Sequence, residues 1–447
     1  MGATKKLVDF IIKTKYEDLP EEAINMAKQC FLDCIGVSLA GCVQPIGKIM
    51  ESYLKDVGGT PQSSIIGLGI KTSPTNAAFI NGTIGHALDY DDMIFPVIGH
   101  PTVPVLPAVL ALGESTDATG RDVLLAFILG FEAFYKVGAA TSPSHWYKGF
   151  HATATVGTYG AVAATSKLLK LDEEQTMNAF GIAGSQASGL KQNLGTMTKP
   201  FHAGHAAEGG VKAALLAKKG FTAAKDVLEG QFGFAKLMTD GYNFGVLDKL
   251  GDHWDIVDPA PFFKPYPSCG GTHAAMNAML SLIKEYDLKP DEVERVDACM
   301  NPGGVEELIY TQPKNALQAK FSMQFCLAIM LLERKGGLAQ FTDAKVRDPK
   351  TAELMKRINL YVDQELTESL PLGWVDKTAT VKVKMKDGRE YKRTTDIEHP
   401  TWDELKSKYE ECASLVLPEN KLRRSIDVIT NLEKLKSLNP LMEYIIK

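Results

Sequence analysis

The sequence predicts a mainly α protein. A large all-helical domain is interrupted by a smaller α+β lid domain, and the C-terminus returns to the helical part. Three observations carry this. Apolar residues recur at helical spacing through the first 260 or so residues. The run of Pro259, Pro261, Pro265 and Pro267 then breaks all regularity. Beyond it, TATVKVKMKDGREYKRTTD alternates apolar and basic residues with strand period around an Asp387-Gly388 turn.

In chain order, Asp18-Leu-Pro-Glu-Glu opens the first long helix, with an Asp cap, proline in the first turn and acids at the positive helix end. Ala23, Ala27, Cys30/Phe31 and Cys34/Ile35 continue it to Gly41. Residues 74–89, 103–116, 120–140, 153–169, 173–190 and 204–219 repeat the pattern. Their Ala and Gly content predicts closely packed interior helices. After the proline cluster come a helix at 271–286, a strand at 293–300, a Met-rich helix at 317–333, two charged helices and an antiparallel strand pair. Residues 401–416 and 417–436 are helical again. The expected domains are 1–262 with 399–447, and 263–398.

The composition narrows the function classes. A 447-residue chain with 45% hydrophobic and 23% charged residues has material for a large core. A net charge of -5 does not favour nucleic acid as a partner. No run approaches the roughly 18 uninterrupted apolar residues of a membrane span, so no membrane partner is expected. Lys6 stands where a myristoylation signal wants Ser or Thr. Seven scattered cysteines without C-x-x-C argue against a disulfide framework or zinc ribbon. A cytoplasmic protein is expected.

Chemistry concentrates in four windows, which hold most of the nine histidines. HALDYDDMIFPVIGHPT holds Asp89 and His100; SHWYKGFHATATVGT holds His145, Tyr147, Lys148 and His151. NLGTMTKPFHAGHAAEGG holds Lys199, His202 and His205; FFKPYPSCGGTHAA holds Lys264, Tyr266 and His273. Each sets polar side chains just ahead of an apolar helix. Helix N-termini present unpaired N–H groups and suit carboxylates. Duller readings stand beside this. Asp-x-Asp-Asp is also a turn with caps, and Asp91 and Asp92 are expected to be structural. His202-Ala-Gly-His205 lacks the i, i+4 spacing of a helical metal pair, so no metal ligands are assigned. Lys199 and Lys264 precede prolines, which predicts extended or turn geometry. Gly67-Leu-Gly69 lacks the rest of a dinucleotide fingerprint, and neither a Walker A motif nor a G-x-S-x-G elbow occurs.

Together these windows resemble the MmgE/PrpD family, which includes 2-methylcitrate dehydratase, cis-aconitate decarboxylase and iminodisuccinate epimerase. The matching stretches are NGTIGHALDYDDM…GHPTVPVLPAVLAL, KGFHATATVGTYGAVAATSKLL, GTMTKPFHAGHAAEGGVKAALLAKKGF, KPYPSCGGTHAA, AKFSMQFCLAIMLL and the strand pair around KDGREY. They span nearly the whole chain in family order. The resemblance implies a homodimer with a pocket between its domains, no metal or organic cofactor, and a small polycarboxylate substrate. It places functional positions at Asp89, His100, His151, Lys199 and Lys264, with Tyr147, His202 and His273 beside them. Two departures stand out. Met93 follows DYDD where dehydratase and decarboxylase members carry threonine, and Phe325 follows Gln324 where decarboxylase-like members carry tyrosine. Both remove a hydroxyl, which weighs against those two named activities.

The reaction the resemblance implies is proton transfer at a carbon next to a carboxylate, in a lyase acting by dehydration or decarboxylation. An epimerase is the alternative within the family. Lys199 and His151 are expected to bind substrate carboxylates. His100, oriented by Asp89, and Lys264 are expected to move protons, with Tyr147 as a further donor. A metal-dependent hydrolase built on the Asp/His cluster and a non-catalytic carboxylate-binding protein are the alternatives from other classes.

Overall fold

The computed structural model describes residues 2–362 and 377–447. The chain divides into two compact units. One comprises Met1–Gln192, Thr198–Phe263 and Thr401–Lys447; the other comprises Asn193–Met197 and Lys264–Pro400. Nothing in the sequence signals that the five residues Asn193–Met197 group with the second unit.

The first unit is helical. Its main elements are α1 (Glu21–Cys42), α2 (Pro74–Gly85), α3 (Thr102–Ser115), α4 (Gly120–Thr141), α5 (Ala152–Leu168), α6 (Glu173–Gly184) and α7 (Thr198–Lys218). Local chemistry sets their starts. Ser73 accepts a hydrogen bond from the Asn76 amide ahead of Pro74. Thr119 with Asp122 and Asp172 with Gln175 form reciprocal capping boxes. α7 begins six residues before the sequence pattern suggests, so Lys199 lies in a first helical turn rather than an extended segment. Pro200 permits this because first-turn amides have no intrahelical acceptor to lose. α6 stops at Gly184, short of the expected 190.

Within this unit α2, α3 and α7 pack against one another, and α5 packs on α3, α4 and α7. The approach of α2 to α7 requires glycine on both sides. A Cβ on Gly82 would lie 2.7 Å from the Gly204 Cα, and one on Gly204 would lie 2.2 Å from the Phe79 carbonyl oxygen. α4 is long and apolar enough to span a membrane by length and hydropathy, yet 89% of its most apolar window is buried inside the protein. It is a core helix.

The second unit carries a four-stranded sheet and helices. Its strands are β1 (Val293–Met300), β2 (Ile358–Val362), β3 (Thr378–Met385) and β4 (Glu390–Asp396), in the order β2-β1-β3-β4. β1–β3 and β3–β4 are antiparallel, and the Asp387-Gly388 turn has the left-handed glycine it needs (φ 90°). The sheet is not wholly antiparallel as the sequence suggests, because β2 runs parallel to β1 in the register Val296↔Ile358. The helical crossover from β1 to β2 makes that direction possible. α8 (His273–Tyr286) packs on β3 and β4. The expected helix at 317–333 is broken: Ser322 caps α9 (Met323–Glu333), and only Ala316–Ala319 forms a short turn before it. The chain returns to the first unit with α10 (Trp402–Ala413), which packs on α1, and α11 (Glu419–Thr430).

Candidate active site

The densest chemistry of the first unit sits where α2 ends. His86 is its C-terminal cap residue, and Asp89, three residues on, adopts left-handed backbone geometry (φ 51°). Asp tolerates this conformation better than most side chains, at a cost of order 1–3 kcal/mol. The turn folds the chain back so that Asp91 reaches His86. Met93 then exchanges two backbone hydrogen bonds with Phe262, at 3.0 and 2.7 Å. The FPVI run closes into a tight loop in which the Ile94 amide donates to the Gly99 carbonyl (2.8 Å). His100 emerges from this loop, and its amide donates to Thr153 Oγ1 in the first turn of α5 (3.1 Å). His151 stands just before that turn, Lys199 stands in the first turn of α7, and His202 follows at the start of its second turn. The glycine contact between α2 and α7 brings these helix ends together.

Asp91 is the hub. One of its oxygens lies 2.8 Å from His86 Nδ1, and the other lies 2.9 Å from His100 Nδ1. The expected orienting acid, Asp89, is more distant: its Oδ1 is 3.6 Å from His100 Nε2 and accepts from Lys199 Nζ at 2.8 Å. The sequence alone suggests a capping or structural role for Asp91. Its role depends on the left-handed turn at Asp89, which sequence spacing does not reveal. His86 was missed for the same reason, although it opens the same window. Asp92 faces away to Thr102, which donates to it through Oγ1 (2.5 Å).

Burial and mutual charge decide the protonation states. Burial alone would raise the Asp91 pKa, but His86 and His100 outweigh it and hold the group well below the usual carboxylate range. Burial pushes His86 down to about 3, with Lys199 and His100 adding to the effect. We therefore read His86 as a neutral ring donating Nδ1–H to an ionised Asp91, which leaves Nε2 as an acceptor. Burial and Asp33 raise Asp92 well above its ordinary value. His151 and His202 face each other through Nδ1 atoms 3.0 Å apart, so one must donate and the other accept. Both are pushed down by burial first, His202 to about 4, which keeps them neutral at pH 7. The His86 and His100 rings meet edge to face at 4.4 Å, and His151 stacks over His86 at 6.0 Å. The cluster thus holds several proton carriers and one ammonium in a dry setting.

The remaining expected residues lie as follows. His145 bonds Thr155 Oγ1 (2.7 Å) and the Met238 carbonyl (3.1 Å), so it braces α5. His205 bonds Ser188 and the Gln186 carbonyl. Tyr147 ends a four-residue helix and is 52% exposed. In the second unit, Lys264 and His273 are buried; His273 stacks on Tyr266 and bonds the Ser268 carbonyl (3.3 Å). His86, Asp89, Asp91 and His100 also each offer a ligand atom within 4.8 Å of the others, a set that could hold a cation. Lys199 already supplies a positive charge at Asp89.

Comparison with known proteins identifies the family. The MmgE/PrpD N-terminal domain matches residues 5–247, and the MmgE/PrpD C-terminal domain matches residues 266–434. The chain belongs to the MmgE/PrpD family. It is 29% identical over 456 residues to the cis-aconitate decarboxylase of Homo sapiens, covering 98% of this chain and 93% of that protein. Cis-aconitate decarboxylase of Mus musculus is 28% identical, with 98% and 92% covered. That of Aspergillus terreus is 27% identical, with 99% and 95% covered. Against this background the two departures gain a physical description. Met93 is buried and its backbone pairs with Phe262, while Phe325 is buried edge-on against Phe341 at 5.4 Å. Both positions are apolar packing sites in this MmgE/PrpD member.

Proposed function

We propose that the protein is a lyase that removes carbon dioxide or water from a small di- or tricarboxylic acid, with cis-aconitate the first candidate. The supporting observation is the His86–Asp91–His100 array beside the Lys199–Asp89 pair. Nearly full-length similarity to carboxy-lyases favours decarboxylation over dehydration, and those relatives lend no support to an epimerase.

In the decarboxylation, the bond from carbon to the departing carboxylate breaks and its electron pair stays on carbon. Carbon dioxide leaves, and an acid group delivers a proton to that carbon. Lys199 and the neutral histidines His151 and His202 bind the remaining carboxylates and stabilise the developing negative charge. The negative charge of Asp91, 2.9 Å from His100 Nδ1, stabilises the imidazolium, and Nε2 delivers the proton. Lys264 as a second acid/base and His273 as a binding residue rest on the family resemblance. The reading needs no metal and no organic cofactor, and takes the active form to be a homodimer.

Incubating the protein with cis-aconitate, 2-methylcitrate and iminodisuccinate, followed by NMR, separates decarboxylation, dehydration and epimerisation. Binding without turnover or exchange of any of them would favour a non-catalytic carboxylate-binding protein. The His86/Asp89/Asp91/His100 set gives the metal reading its one observation. Metal analysis with activity before and after chelation tests it, and stoichiometric zinc or manganese required for activity would replace the cofactor-free reading.

A further inference from the structure

The acidic turn is held from behind by a charged pair that the reaction scheme does not use. Lys408, on α10, is 9% exposed, and Asp33, in the middle of α1, is 2% exposed. Lys408 Nζ lies 2.6 Å from Asp33 Oδ1, donates to the Tyr90 carbonyl at 2.7 Å, and sits 3.8 Å from the Tyr90 ring centroid. Burial raises the Asp33 carboxyl above its ordinary value, and the charge of Lys408 offsets this only in part. The pair therefore addresses the turn at Tyr90, the residue immediately before Asp91. Asp91 is the residue on which His86 and His100 converge, and the turn begins with the strained backbone of Asp89.

We infer that Asp33 and Lys408 are positioning residues, which fix the Asp91 carboxylate in register with His86 and His100. This rests on the proposed lyase reading for its catalytic consequence, but not for its geometry. A buried ion pair contributes little net stability compared with apolar side chains of similar volume, because desolvation offsets the attraction. What this pair supplies is direction. The Lys408 ammonium donates to one carbonyl, pairs in charge with one carboxylate and lies over one aromatic face. Apolar packing could hold α10 on α1, but it could not fix the Tyr90 carbonyl. Because a shift of about 1 Å at a catalytic group can cost on the order of 10²-fold, modest slackening of the turn is enough to matter.

The test compares Lys408→Met, Lys408→Arg and the double variant Asp33→Asn/Lys408→Met in the full chain. The double variant leaves no unpaired buried charge, so it keeps the test alive if the single one fails to fold. Each is assayed for kcat and KM on cis-aconitate and for histidine imidazole ¹⁵N signals. The positioning role predicts a kcat loss of about 30-fold in the double variant with KM changed less than about 3-fold, and recovery to within about 5-fold of wild type in Lys408→Arg. It also predicts shifted ¹⁵N signals for His86 and His100 in the double variant. Wild-type kcat and unmoved His86 and His100 signals in a folded double variant would overturn it. If the wild type does not turn over cis-aconitate, the lyase reading on that substrate fails, while the ¹⁵N comparison still decides the positioning role.

Discussion

Two of the knots of charge buried in the first unit differ in kind. One is the His86–Asp91–His100 array with Asp89, Lys199, His151 and His202. The other is Lys136 on α4, paired with Asp255 at 2.7 Å, beside Glu132, whose Oε1 accepts from the Ile256 amide at 3.0 Å. Both are buried and both carry shifted titrations; burial and then Asp255 raise Glu132 well above its ordinary value. In the second knot the groups close on themselves: Lys136 pairs with Asp255, and Glu132 bonds the adjoining backbone. It ties the 255–256 segment to α4. In the first knot four imidazoles converge, one acid sits on strained backbone, and the proton carriers outnumber what neutrality requires. Burial with a shifted pKa therefore does not distinguish a site from a staple. Strain and redundant proton carriers do.

This contrast can be broken in several ways. The largest expected effect is on turnover. His100→Ala and Lys264→Ala should each lower kcat on the true substrate by about 10³-fold or more while circular dichroism and thermal unfolding remain near wild type. Activity near wild type in both would discard the assignment. Asp91→Asn replaces an acceptor with a group that can also donate, and should impose the wrong tautomer on His86 or His100. A kcat loss on the order of 10²–10³-fold is expected, read by steady-state kinetics.

The second knot should respond in stability instead. Lys136→Met leaves Asp255 buried without its ammonium and should cost about 3–5 kcal/mol in urea unfolding, with kcat of the folded fraction within about 2-fold of wild type.

A smaller effect concerns pH. Burial pushes His145 down to about 4. Its unfolded form takes up a proton near 6.5, while the folded form resists until about 4, so it favours unfolding progressively as pH falls between those values. His145→Gln should lower stability at pH 7.5 but flatten the loss between pH 6.5 and 4 by about 1 kcal/mol or more, each pKa unit being worth about 1.4 kcal/mol. Unfolding midpoints across that range check it. The smallest effect is Tyr147→Phe, expected to change kcat less than about 3-fold because that side chain stands half in solvent. A larger loss would restore it as a proton donor.

Much of this was legible in the residues. The helical periodicity, the proline break and the alternating KVKMKDGREY hairpin announce the main elements, because each is a local pattern. The windows around Asp89, His100, His151, Lys199 and His202 announce a site, because ionisable groups ahead of apolar helices are unusual. The pairing inside the site was not legible. That Asp91 rather than Asp89 is nearest His100 follows from one positive φ. That Lys199 is helical follows from a proline falling in a first turn. β2 escaped notice because INLYV is short and follows a helix directly, and its parallel pairing with β1 is a long-range event. Asp33 and Lys408 lie 375 positions apart in the chain, so no motif could join them.

In the proposed reaction the first knot moves a proton onto a carbon that has lost a carboxylate. Incubation with cis-aconitate in D2O, followed by proton and carbon NMR, tests it most directly. Release of carbon dioxide and one deuterium on the carbon that bore the departing carboxylate are expected, with neither in His100→Ala. Unchanged cis-aconitate, with deuterium neither gained nor carbon dioxide lost, would contradict it.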